Sequence, residues 1–438
     1  MASAPGIRNR KDFGNMSTLP TDAILTLIRQ RHAARQAGLH EDTRWGDSTK
    51  GLFSFATPKF LPEQPGDKRL MIRQPLHRWS WGDFEGTIPA GEYGAGDVSL
   101  IERSPMVLLK NTPDHIVWTR GTSQDSPVYS MRRTKNGNYL CVIRSKDQPT
   151  VVKSYKKSHF PLIPIEDVAK LVDQGARVRE KIDGASVLAY LGKNGIRAFG
   201  TRVGANGLRP EYTNYLGPEI RNAQVPKELQ DRLIRGELYG VDAHGKPIHP
   251  NELSGLLHSN LVNAVDTKQK KGIRLLIAAL AENKDGVDDW YTGADDLVAK
   301  LNNPSIHAMP PVTGEAAKRL VAKIVAGRHP LTREGAVLSF PSGKTYKAKK
   351  RDDYDAVIRE IFPADTKGTP RAGGFYYSYP GEDRIAGKVG TGLDYKTLQD
   401  MLANPQNYIG REVRLSSQER YEDTGALRAP SFVAFRAD

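Results

Sequence analysis

The spacing of apolar positions changes character several times along the chain. From Leu52 to Arg144 short apolar runs alternate with Gly and Pro punctuation, which predicts an all-β domain. Just upstream, Thr21 and Asp22 have the form of a helix N-cap before Ala23–Ala34, whose spacing predicts an amphipathic helix. Residues 1–20 are polar and rich in Gly, Asn and Ser, the composition of a disordered leader. Beyond the basic connector Lys153–His159, a helix is expected over Ile165–Gly175 and a strand over Ala176–Ile182. Strands are expected again at Ser186–Leu191, Ile196–Thr201, Arg232–Tyr239, Arg274–Leu280 and Ala336–Phe340, with helices at Asp295–Leu301 and Gly314–Ala326. After Lys350 the pattern is β-rich, with one helix at Tyr395–Leu402.

Composition narrows the class. A chain of 438 residues suggests roughly two to four domains. The longest apolar run, around Leu275–Ala281, is far shorter than a membrane span, and the N-terminus lacks the apolar core of a signal peptide. A single cysteine, Cys141, excludes a disulfide framework and any multi-cysteine zinc site, and points to a reducing cytosol. The formal charge of +14 fits a polyanionic partner.

Glu180-Lys181-Ile182-Asp183-Gly184 stands between two predicted strands, so a lysine at a strand end precedes a tight Asp-Gly turn and can project its amine into a cleft. Alone, Lys-x-Asp-Gly is a weak signal and describes many solvated hairpin turns. The right residue types then recur in order. Thr201-Arg202-Val203-Gly204 ends a strand, and Glu237 and Glu334 sit in Arg-Gly-Glu and Arg-Glu-Gly contexts before apolar residues. Tyr346-Lys347-Ala348-Lys349 points two lysines along one face. The series resembles the covalent nucleotidyltransferase superfamily of DNA ligases, RNA ligases and capping enzymes. The resemblance implies Lys181 as the nucleophile that becomes AMP-lysine, with Asp183, Lys347 and Lys349 as catalytic partners. It implies Glu180, Arg202, Glu237 and Glu334 as nucleotide contacts, and Glu237 and Glu334 as oxygen ligands of magnesium or manganese. A lysine amine attacks only when deprotonated, and cations such as Lys347 and Lys349 depress a neighbouring amine's pKa while neutralising a phosphate.

The segments Ala386–Leu393, Tyr408–Gly410 and Leu427–Phe432, closed by Arg436 and Asp438, are similar to the OB domain of ATP-dependent DNA ligases, above all the ligase module of bacterial end-joining ligase D. In that family the last motif presents Arg and Asp to the outgoing pyrophosphate, roles that fall on Arg436 and Asp438. Two departures stand out: no lysine follows Asp438, and Ser186 replaces a common arginine. NAD-dependent ligases also carry a small residue there, but their cysteine-rich zinc module needs more than one cysteine, so ATP is the implied cofactor.

The first domain is similar to the 3′-phosphoesterase domain of ligase D through His40-Glu41-Asp42-Thr43-Arg44, Asp83–Gly86 and Ile88–Gly96. The resemblance implies a manganese or zinc site of His40, Asp42 and His77, with Arg44 for the phosphate. His32 corresponds to the family's first histidine if two extra residues are accepted before His40. Trp81 replaces the family's active-site tyrosine, so weak or absent 3′-phosphate removal is expected. Trp45, Trp79 and Trp81 are candidates for base stacking, with core or rim packing expected for at least two, and Cys141 is expected in the core.

Together these readings give an α+β multidomain chain. It comprises a leader (1–20), a β-barrel-like phosphoesterase-type domain (21–155), a nucleotidyltransferase domain of ATP-grasp-like antiparallel sheets with helices (156–349) and an OB-fold (350–438). The function implied is an ATP-dependent DNA ligase that seals 5′-phosphate/3′-hydroxyl breaks. Duplex DNA with nicks or breaks is the expected partner, the chain being monomeric, off the membrane and in the cytoplasm (nucleoid or phage-infected cytosol). The alternatives are an RNA ligase or a non-catalytic end-binding repair factor.

Overall fold

The structure, a computed structural model, describes residues 12–121, 123, 126–327, 334–365, 369–421 and 424–436. The chain divides into two compact units, Met1–Ser158 with Gly184–Pro310, and His159–Asp183 with Pro311–Asp438. The interval 156–349, anticipated as one domain, is shared between them.

The first unit opens with β1 (Ala23–Ala34), β2 (Gly38–Asp47), β3 (Gly51–Thr57), β4 (Lys68–His77), β5 (Gly86–Ile88), β6 (Gly96–Thr112), β7 (His115–Arg120), β8 (Val128–Arg133) and β9 (Tyr139–Ile143). In space they run β1-β2-β3-β4-β9-β8-β7-β6, and β6 pairs back onto β1 to close an eight-stranded antiparallel barrel, with β5 added beside β6. Alternation along each strand fills the interior with Leu27, Trp45, Phe55 and Trp118. Trp45 stacks on Phe55 at 4.7 Å, and Cys141 lies in the same core. Trp45 and Trp81 are both buried, as packing residues should be.

Two sequence readings are corrected here. Ala23–Ala34 is a strand, not a helix. It is the seam of the barrel and buries both faces: Leu25 and Leu27 point into the core, while Ile28 packs under Trp81 and Phe84 and Ile24 meets the neighbouring sheet. Apolar residues on both faces broke the two-residue period and imitated a helical stripe. Residues 12–20, read as part of a disordered leader, are ordered. Met16 and Leu19 are buried in the barrel core, and the Asn111 amide donates to both their carbonyls at 2.6 and 2.9 Å.

In chain order, β10 (Leu162–Pro164) and β11 (Arg177–Lys181) belong to the second unit. The first resumes with β12 (Ala185–Gly192), β13 (Gly195–Gly200), β14 (Leu233–Val241), β15 (Arg274–Lys284), β16 (Val287–Asp289) and β17 (Ile306–Ala308), ordered β13-β12-β14-β15-β16 with β17 parallel to β15. Helices Pro250–His258 and Leu261–Lys271 cover this sheet. Barrel and sheet share one hydrophobic core: Val107, Leu109 and Val117 pack with Leu216, Ile220 and Leu261. Arg221 bolts the two together. Its guanidinium donates to the Leu109 carbonyl at 2.8 Å, to the Leu216 carbonyl at 2.6 Å and to Asp22 at 2.6 Å. Gly121 sits so tightly on the second helix that an added Cβ would meet Val262 at 1.6 Å.

The second unit continues with β18 (Gly335–Ser339), β19 (Thr345–Lys349), β20 (Asp352–Pro363), β21 (Ala372–Ser378), β22 (Gly387–Val389), β23 (Glu412–Ser417) and β24 (Ser431–Phe435). One sheet runs β10-β19-β18-β11 and is backed by helices Val168–Asp173 and Gly314–Val325. The other runs β22-β21-β20-β23-β24, all antiparallel, with helix Tyr395–Ala403 packing its Met401 into the core beside Phe375, the arrangement of the expected OB-fold.

Candidate active sites

The barrel site follows from strand period and register. On β2, His40, Asp42 and Arg44 share the face opposite Trp45, and across β1 they meet His32, Gln30 and Ile28 respectively. This outer face is roofed by the short helix Trp79–Asp83 and by the segment Ile88–Ala95, leaving a cavity of about 430 Å³. His32, His40 and Asp42 each place one ligand atom within 4.8 Å of the others. His32 therefore stands with His40 and Asp42, two of the three residues that the resemblance implies as metal ligands with His77. His77 lines the same cavity, outside that triple.

Each imidazole donates one N–H to a backbone carbonyl: His32 Nε2 to Gly94 (2.8 Å), His40 Nδ1 to Gly38 (2.9 Å) and His77 Nδ1 to Pro75 (2.7 Å). With one nitrogen of each ring turned to a backbone carbonyl, the nitrogens left to face a metal are His32 Nδ1, His40 Nε2 and His77 Nε2, the orientation that metal-binding histidines use. His32 Nδ1 lies 3.1 Å and His40 Nε2 3.5 Å from the Asp42 carboxylate. Burial alone would push Asp42 up. The Arg44 charge and the bonds to both histidines outweigh it and hold the carboxyl well below the usual range. The bond to Asp42 raises His40, whereas burial and then Arg44 push His77 down to about 4, so it is neutral. Donors of this type, N and O with fixed tautomers, fit manganese or zinc. Arg44 binds Asp42 and Gln30 through its terminal nitrogens, but its Nε and the Trp81 indole N–H are buried with no hydrogen-bond partner among the described residues.

The second constellation stands on the β11-β18-β19 register. Gly335 pairs with Lys181 on one side and Lys349 on the other, so both amines flank Glu334. The Glu334 carboxylate accepts from Lys181, from Lys349 Nζ at 3.0 Å and from Gln418 Nε2 at 3.2 Å. Only glycine fits between the lysines: Gly335 has φ +139°, and a Cβ would meet the Ala348 carbonyl at 1.9 Å. Asp183 is gripped by both terminal nitrogens of Arg428, one at 2.5 Å, a bond that raises the arginine further above its ordinary value. Lys347 shares the strand face of Lys349. Burial pushes Glu180 up.

Arg436, expected beside the nucleotide, pairs with Asp355 on β20 at 2.8 Å. Asp438 lies outside the described residues. Arg428 and Gln418 were not singled out by sequence; Arg428's only signal was its place in Leu427–Phe432. In the first unit, Glu237 is buried on β14 opposite Ser186, and Arg202 is exposed beyond β13. The guanidinium of Arg235, from the neighbouring strand, reaches the Ser186 hydroxyl.

Residues 30–125 match the family model described as the DNA ligase D 3′-phosphoesterase domain. The multifunctional non-homologous end joining protein LigD of Mycolicibacterium smegmatis is 28% identical over 94% of this chain and 56% of its own length. The LigD DNA repair protein of Mycobacterium tuberculosis is 41% identical over 51% of this chain and 28% of its own. A solved Lig E DNA ligase covers 64% of this chain and all of its own at 17% identity, with a TM-score of 0.41. The resemblance to ligase D read from the motifs therefore extends along nearly the whole chain, while the chain spans about half the length of the first relatives it matches. No helix among the described residues is long and apolar enough to cross a membrane.

Proposed function

We propose that the chain is an ATP-dependent DNA ligase that seals 5′-phosphate/3′-hydroxyl breaks in duplex DNA through a lysyl-AMP intermediate. The observation that supports this reading is the contact of Lys181 and Lys349 with Glu334, residues that belong to the first, last and intervening members of the motif series. Lys181 Nζ attacks the ATP α-phosphorus, forming a P–N bond as pyrophosphate leaves. AMP passes to the DNA 5′-phosphate, and the 3′-hydroxyl then displaces AMP to form the phosphodiester.

The amine attacks only without its proton, and a carboxylate contact favours the ammonium. The Glu334 contact must therefore be given up once the nucleotide is in place, while Lys349 and Lys347 neutralise phosphate oxygens. Glu334 would be among the residues that hold magnesium or manganese, which would supply further charge neutralisation. Asp183, held by Arg428, fixes the turn that aims Lys181. Arg202 and Glu237 keep the nucleotide-binding roles that their motif order implies, Glu237 also as a metal ligand. Arg436 and Asp438 keep their roles toward pyrophosphate. Arg436 would have to leave Asp355 to act.

The barrel, on this proposal, binds DNA ends bearing a 3′-phosphate. His32, His40 and Asp42 would hold manganese or zinc, and Arg44 and His77 face the phosphate. With Trp81 in place of a tyrosine hydroxyl, removal of that phosphate is slow or absent. A nicked duplex with labelled 5′-phosphate and ATP tests both parts. A plain nick should be sealed; a nick with a 3′-phosphate should stay open until a separate phosphatase is added. Failure on the plain nick contradicts ligation. Unaided sealing of the blocked nick at a comparable rate contradicts the assignment for Trp81.

A further inference from the structure

The segment that follows β5 brings an aromatic side chain to the barrel cavity. Between β5 and β6, Pro89–Ala95 folds into two successive turns, Glu92 N–H to the Pro89 carbonyl at 3.2 Å and Ala95 N–H to the Glu92 carbonyl at 3.1 Å. Gly91 and Gly94 take φ of +91° and +78° to make them. The loop is fastened to the site, because the Gly94 carbonyl is the one that orients His32. One residue earlier, Tyr93 lines the cavity yet is 51% exposed. Its hydroxyl donates to Gln74 Oε1 on β4 at 3.1 Å, so the ring is held across the opening by a second strand.

The cavity is divided in character. His40, Asp42, Arg44 and His77 make a polar floor, while Pro58, Ile72 and Ala90 line it without offering a charge. Its volume, about 430 Å³, lies in the range that organic ligands fill and exceeds what a phosphate needs.

We propose that Tyr93 is the surface on which the terminal nucleoside of a DNA 3′ end stacks, with Gln74 as the residue that positions its ring. The inference rests on the reading of the barrel as a 3′-phosphate site. Every base offers a π-face, so such a contact distinguishes a nucleotide from a bare phosphate without choosing among bases. An aromatic held at its hydroxyl loses little freedom on binding, which favours a rigid platform over a mobile side chain.

The test uses the full chain with manganese and fluorescent duplexes ending in a 3′-phosphate or a 3′-hydroxyl, with inorganic phosphate as a competitor. Tyr93→Ala should weaken binding of the 3′-phosphate end by about tenfold to a hundredfold. Competition by inorganic phosphate should be unchanged, and Tyr93→Phe should retain most of the affinity. On an end whose last nucleotide is abasic, wild type and Tyr93→Ala should converge. If wild type prefers the 3′-phosphate end and Tyr93→Ala binds it equally well, the Tyr93 assignment is overturned and the phosphate site stands. Equal loss of inorganic phosphate would make Tyr93 structural and also overturn it. If wild type does not distinguish 3′-phosphate from 3′-hydroxyl, the phosphate reading fails and the Tyr93 assignment falls with it.

Discussion

The histidines of the barrel show how far a residue's role depends on neighbours remote in sequence. His77 and His115 are both pushed down to about 4 by burial first, then by adjacent arginines. An unfolded histidine takes up its proton near 6.5, so the unfolded state binds more protons below that pH. Stability of the first unit should therefore be full above about pH 6.5 and fall as the pH drops toward 4. All five tryptophans lie in that unit, so tryptophan fluorescence in a urea titration reads it selectively. His115→Gln should flatten the slope; an unchanged slope would assign the pH dependence elsewhere. At this scale Lys181, Glu334 and Lys349 were legible because local motifs name them. Arg428 and Gln418 were not, since their partners Asp183 and Glu334 are 245 and 84 residues away. His32 was partly legible: strand register places it directly across from His40, despite the spacing that set it apart from the family pattern.

Among the elements, the helix Asp295–Leu301 and the strand β12, which is buried on both faces, were read nearly to the residue. Three others were not. The barrel seam β1 was taken for a helix, and helices Pro250–His258 and Leu261–Lys271 went unread between strands. Two substitutions test what the elements do. Gly335→Ala forces a Cβ into the Ala348 carbonyl and should cost about 3 kcal/mol of local strain. Because β18 spaces Lys181 and Lys349, it should also abolish AMP transfer while leaving the tryptophan-monitored unfolding of the first unit unchanged. Arg221→Met leaves the carbonyls of Leu109 and Leu216 and the Asp22 carboxylate without their donor. It should destabilise the first unit by about 3 kcal/mol, measured by the same fluorescence. Preserved stability would mean that the barrel and the β12–β17 sheet are held by apolar packing alone. The shared core also predicts that removing residues 1–155 exposes Leu216, Ile220 and Leu261, so truncation is a poor way to isolate the barrel's share of DNA binding.

For the whole molecule, the order of motifs along the chain does not show how it divides in space. The motif series placed residues 156–349 in one domain, yet the chain crosses between compact units at 158/159, 183/184 and 310/311. Sequence order cannot show such interleaving, because the same motifs are consecutive however the chain is divided. The charge of +14 predicts that DNA affinity falls steeply and linearly on a log–log plot against salt, as phosphate contacts release counterions. A flat salt response would leave the surplus charge without a DNA-binding role. On the proposed mechanism Lys181 carries AMP. Incubating the chain with ATP labelled at the α-phosphate and magnesium or manganese, then separating it under denaturing conditions, tests this most directly. A labelled protein band, acid-labile as a phosphoramidate is, chased onto nicked DNA and absent from Lys181→Ala, is the result expected. A label that persists in Lys181→Ala would contradict the claim.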